Sequence, residues 1–464
     1  MAPSACRTRS CPTWAASRRS IRGDARRLPL RDGSDSIGLR RNRLYERTVL
    51  PNGLRVLSST MPHVRSVATG IFVGAGSRYE DDDIAGASHF LEHMLFKGTA
   101  KRPEPQMISR AIESVGGILN ASTDREATLY YTKVARDHFD IALDVLTDMY
   151  NSPLFVPDEV ERERGVILEE LAMTYDHPDS LADLLIDRAL WPDQPMGRDV
   201  GGTRESVGGI TKEQLAAYHA RQYVPSNTVV AVAGNVEHEE VVERVAALLG
   251  YDRTQETLPM RPVLPDEDSG VRVEIGNRKT DQAHICLAVD GPAANADDRY
   301  AVDMMNTVLG EGMSSRLFVE LRERRGLAYD VHSSAMHYHD CGALLVSCGV
   351  DTANADKAVQ AVLREQYGMQ EGVTEEELSR ATEYAVGRLG LRLEDTRAVM
   401  GWMGGQELLR NEVRTPEEVV ASIRTITTEE VTDAARRYFG PGAYRLSVVG
   451  PYRSQARFEK LLAA

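Results

Sequence analysis

Two stretches of this 464-residue chain lie over one another without a gap: Ser206 to Gly234, SVGGITKEQLAAYHARQYVPSNTVVAVAG, and Ser422 to Gly450, SIRTITTEEVTDAARRYFGPGAYRLSVVG. Ile210-Thr211 falls on Ile426-Thr427, Arg221 on Arg437, Tyr223 on Phe439 and Pro225 on Pro441. Each copy reads as a helix capped by its threonine, a proline turn and a buried apolar strand that stops at a glycine. The copies are 216 positions apart, far beyond the roughly 20 to 50 residues of a solenoid repeat. They therefore mark a duplicated domain.

The duplication divides the chain into halves over 44–257 and 273–464, joined by a proline-rich, acidic linker at 258–272 that contains Pro259, Pro262 and Pro265. In the first half, apolar patterning predicts strands over 54–59, 66–73, 117–123, 127–134 and 228–234. Helices are expected near 86–97, 105–115, 137–151, 157–174 and 178–190. The second half repeats the theme, with strands near 282–290, 328–336, 341–349 and 444–449. Strands at 117–123 and 127–134 are too close in sequence for a crossover helix, so antiparallel pairing follows. The expected fold class is α+β: two duplicated domains, each an antiparallel sheet packed with helices.

Composition narrows the function classes. The chain is 42% hydrophobic and 27% charged, with a mean hydropathy of −0.34, which is the profile of a soluble globular protein. No apolar run approaches the roughly 18 residues of a membrane span. Residues 1–43 carry eleven arginines and three aspartates, a net +8, which leaves −22 on the remainder. An acidic body argues against nucleic-acid binding and suits uptake of basic peptides. The basic 1–43 segment lacks hydrophobic periodicity and is expected to be disordered. A bacterial cytoplasmic protein with an upstream extension is the favoured reading, and a mitochondrial transit peptide the alternative. Cys6, Cys11, Cys286, Cys341 and Cys348 form no C-x-x-C, so neither a disulfide framework nor a cysteine metal site is indicated.

Chemistry concentrates at Gly86-Ala-Ser-His-Phe-Leu-Glu-His-Met-Leu-Phe96. His89 and His93, at i and i+4, present both imidazoles from one helix face. Glu92 sits beside that face, where a carboxylate reaches a water without ligating the metal. H-x-x-E-H is the inverzincin arrangement, and a catalytic zinc needs a third protein ligand from elsewhere. The helix over 157–174 supplies acidic candidates, among them Glu161, Glu163, Glu169 and Glu170, with Glu163 and Glu170 two turns apart on one face.

At these residues the chain resembles the insulinase/pitrilysin metallopeptidases, notably the short two-domain members related to the mitochondrial processing peptidase. The resemblance covers about 44–455. It implies one zinc ion per chain, with the third ligand 77 residues after the second motif histidine in a V-I-x-x-E pattern, which selects Glu170 over Glu169 in Val166-Ile-Leu-Glu-Glu170. Glu163 then supports the site from behind the ligands. Glu92 becomes the general base and acid for peptide-bond hydrolysis. In Ser315-Arg-Leu-Phe-Val-Glu-Leu-Arg322 through Tyr329, the resemblance assigns Arg322 and Tyr329 to substrate contact, as donors to a developing oxyanion. In Gly116 through Thr123, Asn120 and Ala121 would lie on the strand that pairs with an extended substrate.

The departures matter too. The second half has no H-x-x-E-H and is expected to bind no metal. Leu309-Gly-Glu-Gly-Met-Ser lacks the long glycine-rich loop of the mitochondrial noncatalytic subunit. The mitochondrial catalytic subunit's acidic pair for arginine falls on Ser180 and Leu184, with Asp179 and Asp183 beside them. A noncatalytic respiratory-complex core subunit and a peptide-holding scaffold are the rival readings, and the intact His89/Glu92/His93/Glu170 set opposes the first. Long relatives close four domains around a chamber, so a two-domain chain is expected to pair as a homodimer, with Arg322 and Tyr329 completing the partner's site.

Overall fold

Thr211 and Thr427 each cap a helix by accepting from the backbone N–H three residues on, Gln214 and Glu430, whose side chains accept in return from the threonine N–H. Each such box contributes about 1 kcal/mol, and together they start the equivalent helices Lys212–Gln222 and Thr428–Tyr438. The computed structural model describes residues 45–264 and 272–463. The segment 1–43 lies outside the described residues, as does the linker from 265 to 271.

One sheet is built from β1 (Glu46–Val49), β2 (Arg55–Thr60), β3 (Ser66–Val73), β4 (Ile118–Thr123), β5 (Thr128–Ala135) and β6 (Thr228–Gly234), in the order β1-β2-β6-β3-β5-β4. The other contains β7 (Arg272–Asn277), β8 (Gln282–Gly291), β9 (Ala328–His337), β10 (Gly342–Asp351) and β11 (Arg445–Gly450), in the order β7-β11-β8-β10-β9. With β1 set aside, the two orders are identical. The strands closing the repeated stretches, β6 and β11, take the same place in each, parallel to β2 or β7 and antiparallel to β3 or β8. All other pairings are antiparallel. The expected antiparallel sheets thus each hold one parallel pair, made possible because most of a half intervenes between its two strands. Strands β1 and β7 were not foreseen. ERTV and RVEIGN are short edge segments without a clean apolar alternation.

Among the described residues, four apolar clusters fill the interior. One packs helices such as Arg299–Gly310 and Ala355–Glu371 on the second sheet, and another packs Ala87–Leu95 and Phe139–Asn151 on the first. The other two clusters exchange helices between halves. Leu181 and Ile186 of helix Pro178–Leu190 bury against Cys286, Ala288 and Val449 of the second sheet. Reciprocally, Val399, Met400 and Met403 of helix Thr396–Arg410 bury against Leu57, Ala68 and Phe72 of the first. Gly404 permits this approach, since a β-carbon there would sit 2.1 Å from the Phe72 ring. Arg78, fully buried, adds a polar tie: its guanidinium donates to Glu126 at 2.5 Å, to Asp340 at 2.8 Å and to the Arg261 carbonyl at 2.6 Å. Removing one partner of such a buried pair costs about 3–5 kcal/mol. Among the described residues no helix is long and apolar enough to cross a membrane.

Candidate metal centre

Helix Ala87–Leu95 begins at Gly86, whose φ of 93° is left-handed and whose α-carbon packs against the Gly201-Gly202 backbone, where a β-carbon would meet Gly201 O at 2.4 Å. The buried Glu80 carboxylate accepts from the backbone N–H groups of Gly86, 2.7 Å, and Ser88, 2.6 Å, so an acid at the positive helix end fixes its start. Ala87, Phe90, Leu91, Met94 and Leu95 face the core. His89, Glu92, His93 and Lys97 are left on the opposite, partly accessible face at helical spacing. The helix is slightly shorter than the expected 86–97.

Helix Pro157–Asp176 runs alongside. Its apolar stripe, Val160, Ile167 and Leu171, buries Glu163 with it. Glu163 Oε2 accepts from His93 Nδ1 at 3.0 Å, and its Oε1 pairs with Lys97 Nζ at 2.7 Å. A proton held on Nδ1 leaves His93 Nε2 as the free lone pair. That nitrogen lies 3.5 Å from Glu170 Oε2, and His89 Nε2 lies 3.8 Å from the same oxygen. The ligand atoms of His89, His93 and Glu170 all fall within 4.8 Å of one another, and they form the metal-competent cluster among the described residues. Glu169 is exposed and outside it.

This donor set fits zinc. Bonds of about 2.0–2.2 Å in a tetrahedron put neighbouring ligand atoms about 3.4 Å apart, close to the 3.5 and 3.8 Å separations seen. Burial and the neighbouring His93 lower the His89 pKa, which favours the neutral imidazole a metal requires. Three such ligands would leave a fourth position for water, and the half-exposed Glu170 side chain opens the cluster to solvent.

Glu92 points its carboxylate to the edge of the first sheet, where Thr123 Oγ1 donates to Glu92 Oε2 at 2.6 Å. Burial raises the Glu92 pKa, while the Thr123 hydroxyl and the neighbouring His93 pull it back. Thr123 ends β4, an outer strand whose residues alternate exposed and half-buried. Asn120 and Ala121 lie on this strand, and Asn120 Oδ1 accepts from the Ala121 N–H. β4 thus has an unpaired edge beside the general-base candidate.

Arg322 and Tyr329 are brought to each other but not to this cluster. The Arg322 guanidinium stacks 4.5 Å from the Tyr329 ring centroid and donates to the Tyr329 carbonyl at 3.1 Å. Arg322 otherwise meets Phe318 and Glu323. Arg322 sits on a π-helical stretch, Phe318–Arg324, that leads into β9. Tyr329 is 79% exposed. It lines a cavity of about 550 Å³ with Asp179, Asp183 and Asp187 of helix Pro178–Leu190. Leu184 is buried, so the acids of this helix reach the cavity from the positions beside it. Burial raises Asp187 to a pKa of about 6, against the pull of Arg125.

Sequence comparison places this geometry in a family. Residues 55–204 match the model for Insulinase (Peptidase family M16), and residues 209–384 match the Peptidase M16 inactive domain. The chain is 38% identical over 454 residues to an uncharacterized zinc protease of Streptomyces coelicolor, spanning 97% of both. The chain belongs to the insulinase family. Other family relatives include uncharacterized zinc proteases of Mycobacterium leprae, 40% identical over 90% of this chain and 94% of that one, and of Bacillus subtilis, 34% identical over 88% and 98%. Two solved structures share the fold: a protease from Helicobacter pylori, TM-score 0.81 at 23% identity over 88% of this chain and 99% of that one, and a peptidase M16 inactive domain from Pseudomonas fluorescens, 0.81 at 20% over 89% and 98%. Within the match to the Insulinase model lie His89, His93 and Glu170, whose candidate ligand atoms converge within 4.8 Å. Glu80, Lys97 and Thr123 were missed from sequence, since nothing near them in the chain signals their partners.

Proposed function

We propose that this chain is a zinc endopeptidase of the insulinase family, with one zinc ion held by His89, His93 and Glu170. The observation that carries the reading is that these ligand atoms converge within 4.8 Å while Glu92 is fixed by Thr123 beside an open strand edge. A bound zinc ion supplies a Lewis acid at the scissile carbonyl and lowers the pKa of water. Glu163 holds the Nδ1 proton of His93 and so sets which nitrogen faces the cluster. Glu92 takes the proton from the attacking water and returns it to the leaving amine. Its partly buried position supports that role, since a carboxylate with a raised pKa is a better-matched base near neutrality. The substrate adds to β4 as a further antiparallel strand at Asn120 and Ala121, bound by backbone hydrogen bonds that read little of its sequence. An unfolded or presequence-like peptide is therefore the substrate class, and the acids Asp179, Asp183 and Asp187 beside Tyr329 favour basic side chains.

The working form in this reading is a cytoplasmic homodimer that encloses the peptide, with Arg322 and Tyr329 reaching the partner's site. The direct test measures zinc content and cleavage of an unfolded fluorogenic peptide for wild type and Glu92→Gln. Glu92→Gln is expected to keep its zinc and lose about 10²- to 10⁴-fold in turnover. Activity above a few per cent of wild type removes Glu92 from the mechanism.

A further inference from the structure

The end of helix Thr396–Arg410, the following turn and the start of helix Arg299–Gly310 enclose a cavity of about 750 Å³, within the size range of small-molecule sites. Three guanidinium groups line it. Those of Arg299 and Arg414 lie 5.2 and 5.3 Å from the centroid of the Tyr300 ring. Arg414 spends its donors on neutral partners, the Tyr300 hydroxyl and Ser422 Oγ, both at 2.9 Å. Arg299 has a buried Nε with no hydrogen-bond partner. Asp303 holds its Oδ2 3.7 Å from that Nε, an ion pair beyond hydrogen-bond reach, and binds His337 Nε2 through Oδ1 at 2.9 Å. The partly buried Arg410 guanidinium makes no hydrogen bond or ion pair among the described residues.

Among the described residues, the acids that line the same cavity form no ion pair with this cluster. Glu126 is committed to Arg78 and the His339 N–H, and Glu430 to the Thr427 cap. Asp297 and Glu412 are exposed at the rim. Burial lowers the Arg410 pKa, and the crowded charges of Arg299 and Arg414 lower it further, against the pull of Tyr300 and Asp303. Such crowding is costly unless an anion supplies acceptors.

We propose that Arg299, Arg410 and Arg414 form a binding site for a phosphate-class oxyanion, separate from the metal centre. A tetrahedral oxyanion offers several acceptors at once, which suits converging guanidinium forks better than a single carboxylate does. The ligand is either a free inorganic anion or a phosphate monoester of small-molecule size.

Calorimetric titration of the zinc-loaded full chain tests this, at fixed ionic strength, with inorganic pyrophosphate in one arm and phenyl phosphate in the other. Saturable submillimolar binding is expected in at least one arm, and the tighter arm names the source. Arg410→Gln should weaken it at least about tenfold, with the unligated melting temperature no lower than that of wild type and peptidase activity unchanged. Arg414→Lys, which retains charge but loses the fork, should weaken it less. Binding unaffected by Arg410→Gln would assign the signal to the zinc or to another surface and overturn the site. Absence of saturable binding at millimolar anion in both arms overturns it equally.

Discussion

Thr123 Oγ1 donates to Glu92 Oε2 at 2.6 Å, which ties the last residue of the open strand β4 to the carboxylate between the two motif histidines. Strand edge and general base are therefore set in register by one bond across 31 residues of chain. Thr123→Val keeps the shape and removes the donor. Turnover should fall about tenfold, the loss of a charge-assisted hydrogen bond of roughly 1.5 kcal/mol, with zinc content unchanged and Thr123→Ser near wild type. A serine variant as slow as the valine variant argues against a role for the hydroxyl.

The two glutamates of helix Pro157–Asp176 that approach the histidines should separate experimentally from the one that does not. Glu170→Gln is expected to lose most of its zinc, because it removes the carboxylate oxygen that lies within 4 Å of the Nε2 atoms of both histidines. Glu163→Gln should weaken zinc about 10- to 100-fold by releasing His93. Glu169→Gln should match wild type in a chelator-competition titration. Equal losses at 169 and 170 would mean that the third ligand is misassigned.

His219 gives a pH prediction. It is buried between Phe155 and Tyr223, with Nε2 donating to the Tyr150 carbonyl at 2.9 Å. Burial lowers its pKa to about 4. A depressed folded-state value means that the unfolded chain takes up a proton the folded one refuses, so stability is present above about pH 6.5 and is lost as pH falls toward 4. The contribution lost by pH 5 is about 2 kcal/mol. His219→Gln retains a donor but does not titrate. Denaturant unfolding at pH 7.5 and 5 should therefore show a smaller drop in the variant than in wild type, and equal drops would contradict the assignment.

Mixing Glu92→Gln protein with Arg322→Ala/Tyr329→Ala protein tests the shared site. Each is expected to be nearly inactive alone. Subunit exchange should restore activity, because one of the two sites in a mixed dimer has all its parts intact. Exchange verified by mass spectrometry without recovery would place Arg322 and Tyr329 in cis or outside catalysis.

The features legible in the sequence are those set by neighbouring residues. Threonine caps, the proline turns and the apolar strands of the repeated stretches depend on local hydrogen bonding and burial period, which is why Lys212–Gln222 and Thr428–Tyr438, and β6 and β11, were readable and proved equivalent. The i, i+4 spacing likewise puts His89 and His93 on one helical face by geometry alone. Glu170 could be singled out from Glu169 only through the family resemblance, since both sit on an accessible side of the same helix.

What the tertiary structure decided is the set of partners far apart in the chain. Glu163 meets His93 across 70 positions, and helix Pro178–Leu190 leaves its own half to cover the second sheet. Arg299, Arg410 and Arg414 gather around Tyr300 from segments over 100 residues apart. Local periodicity states which face of an element is apolar, but not which other element will cover it. That choice comes from how two twisted sheets and their helices share one interior, and it is made only when the whole chain packs.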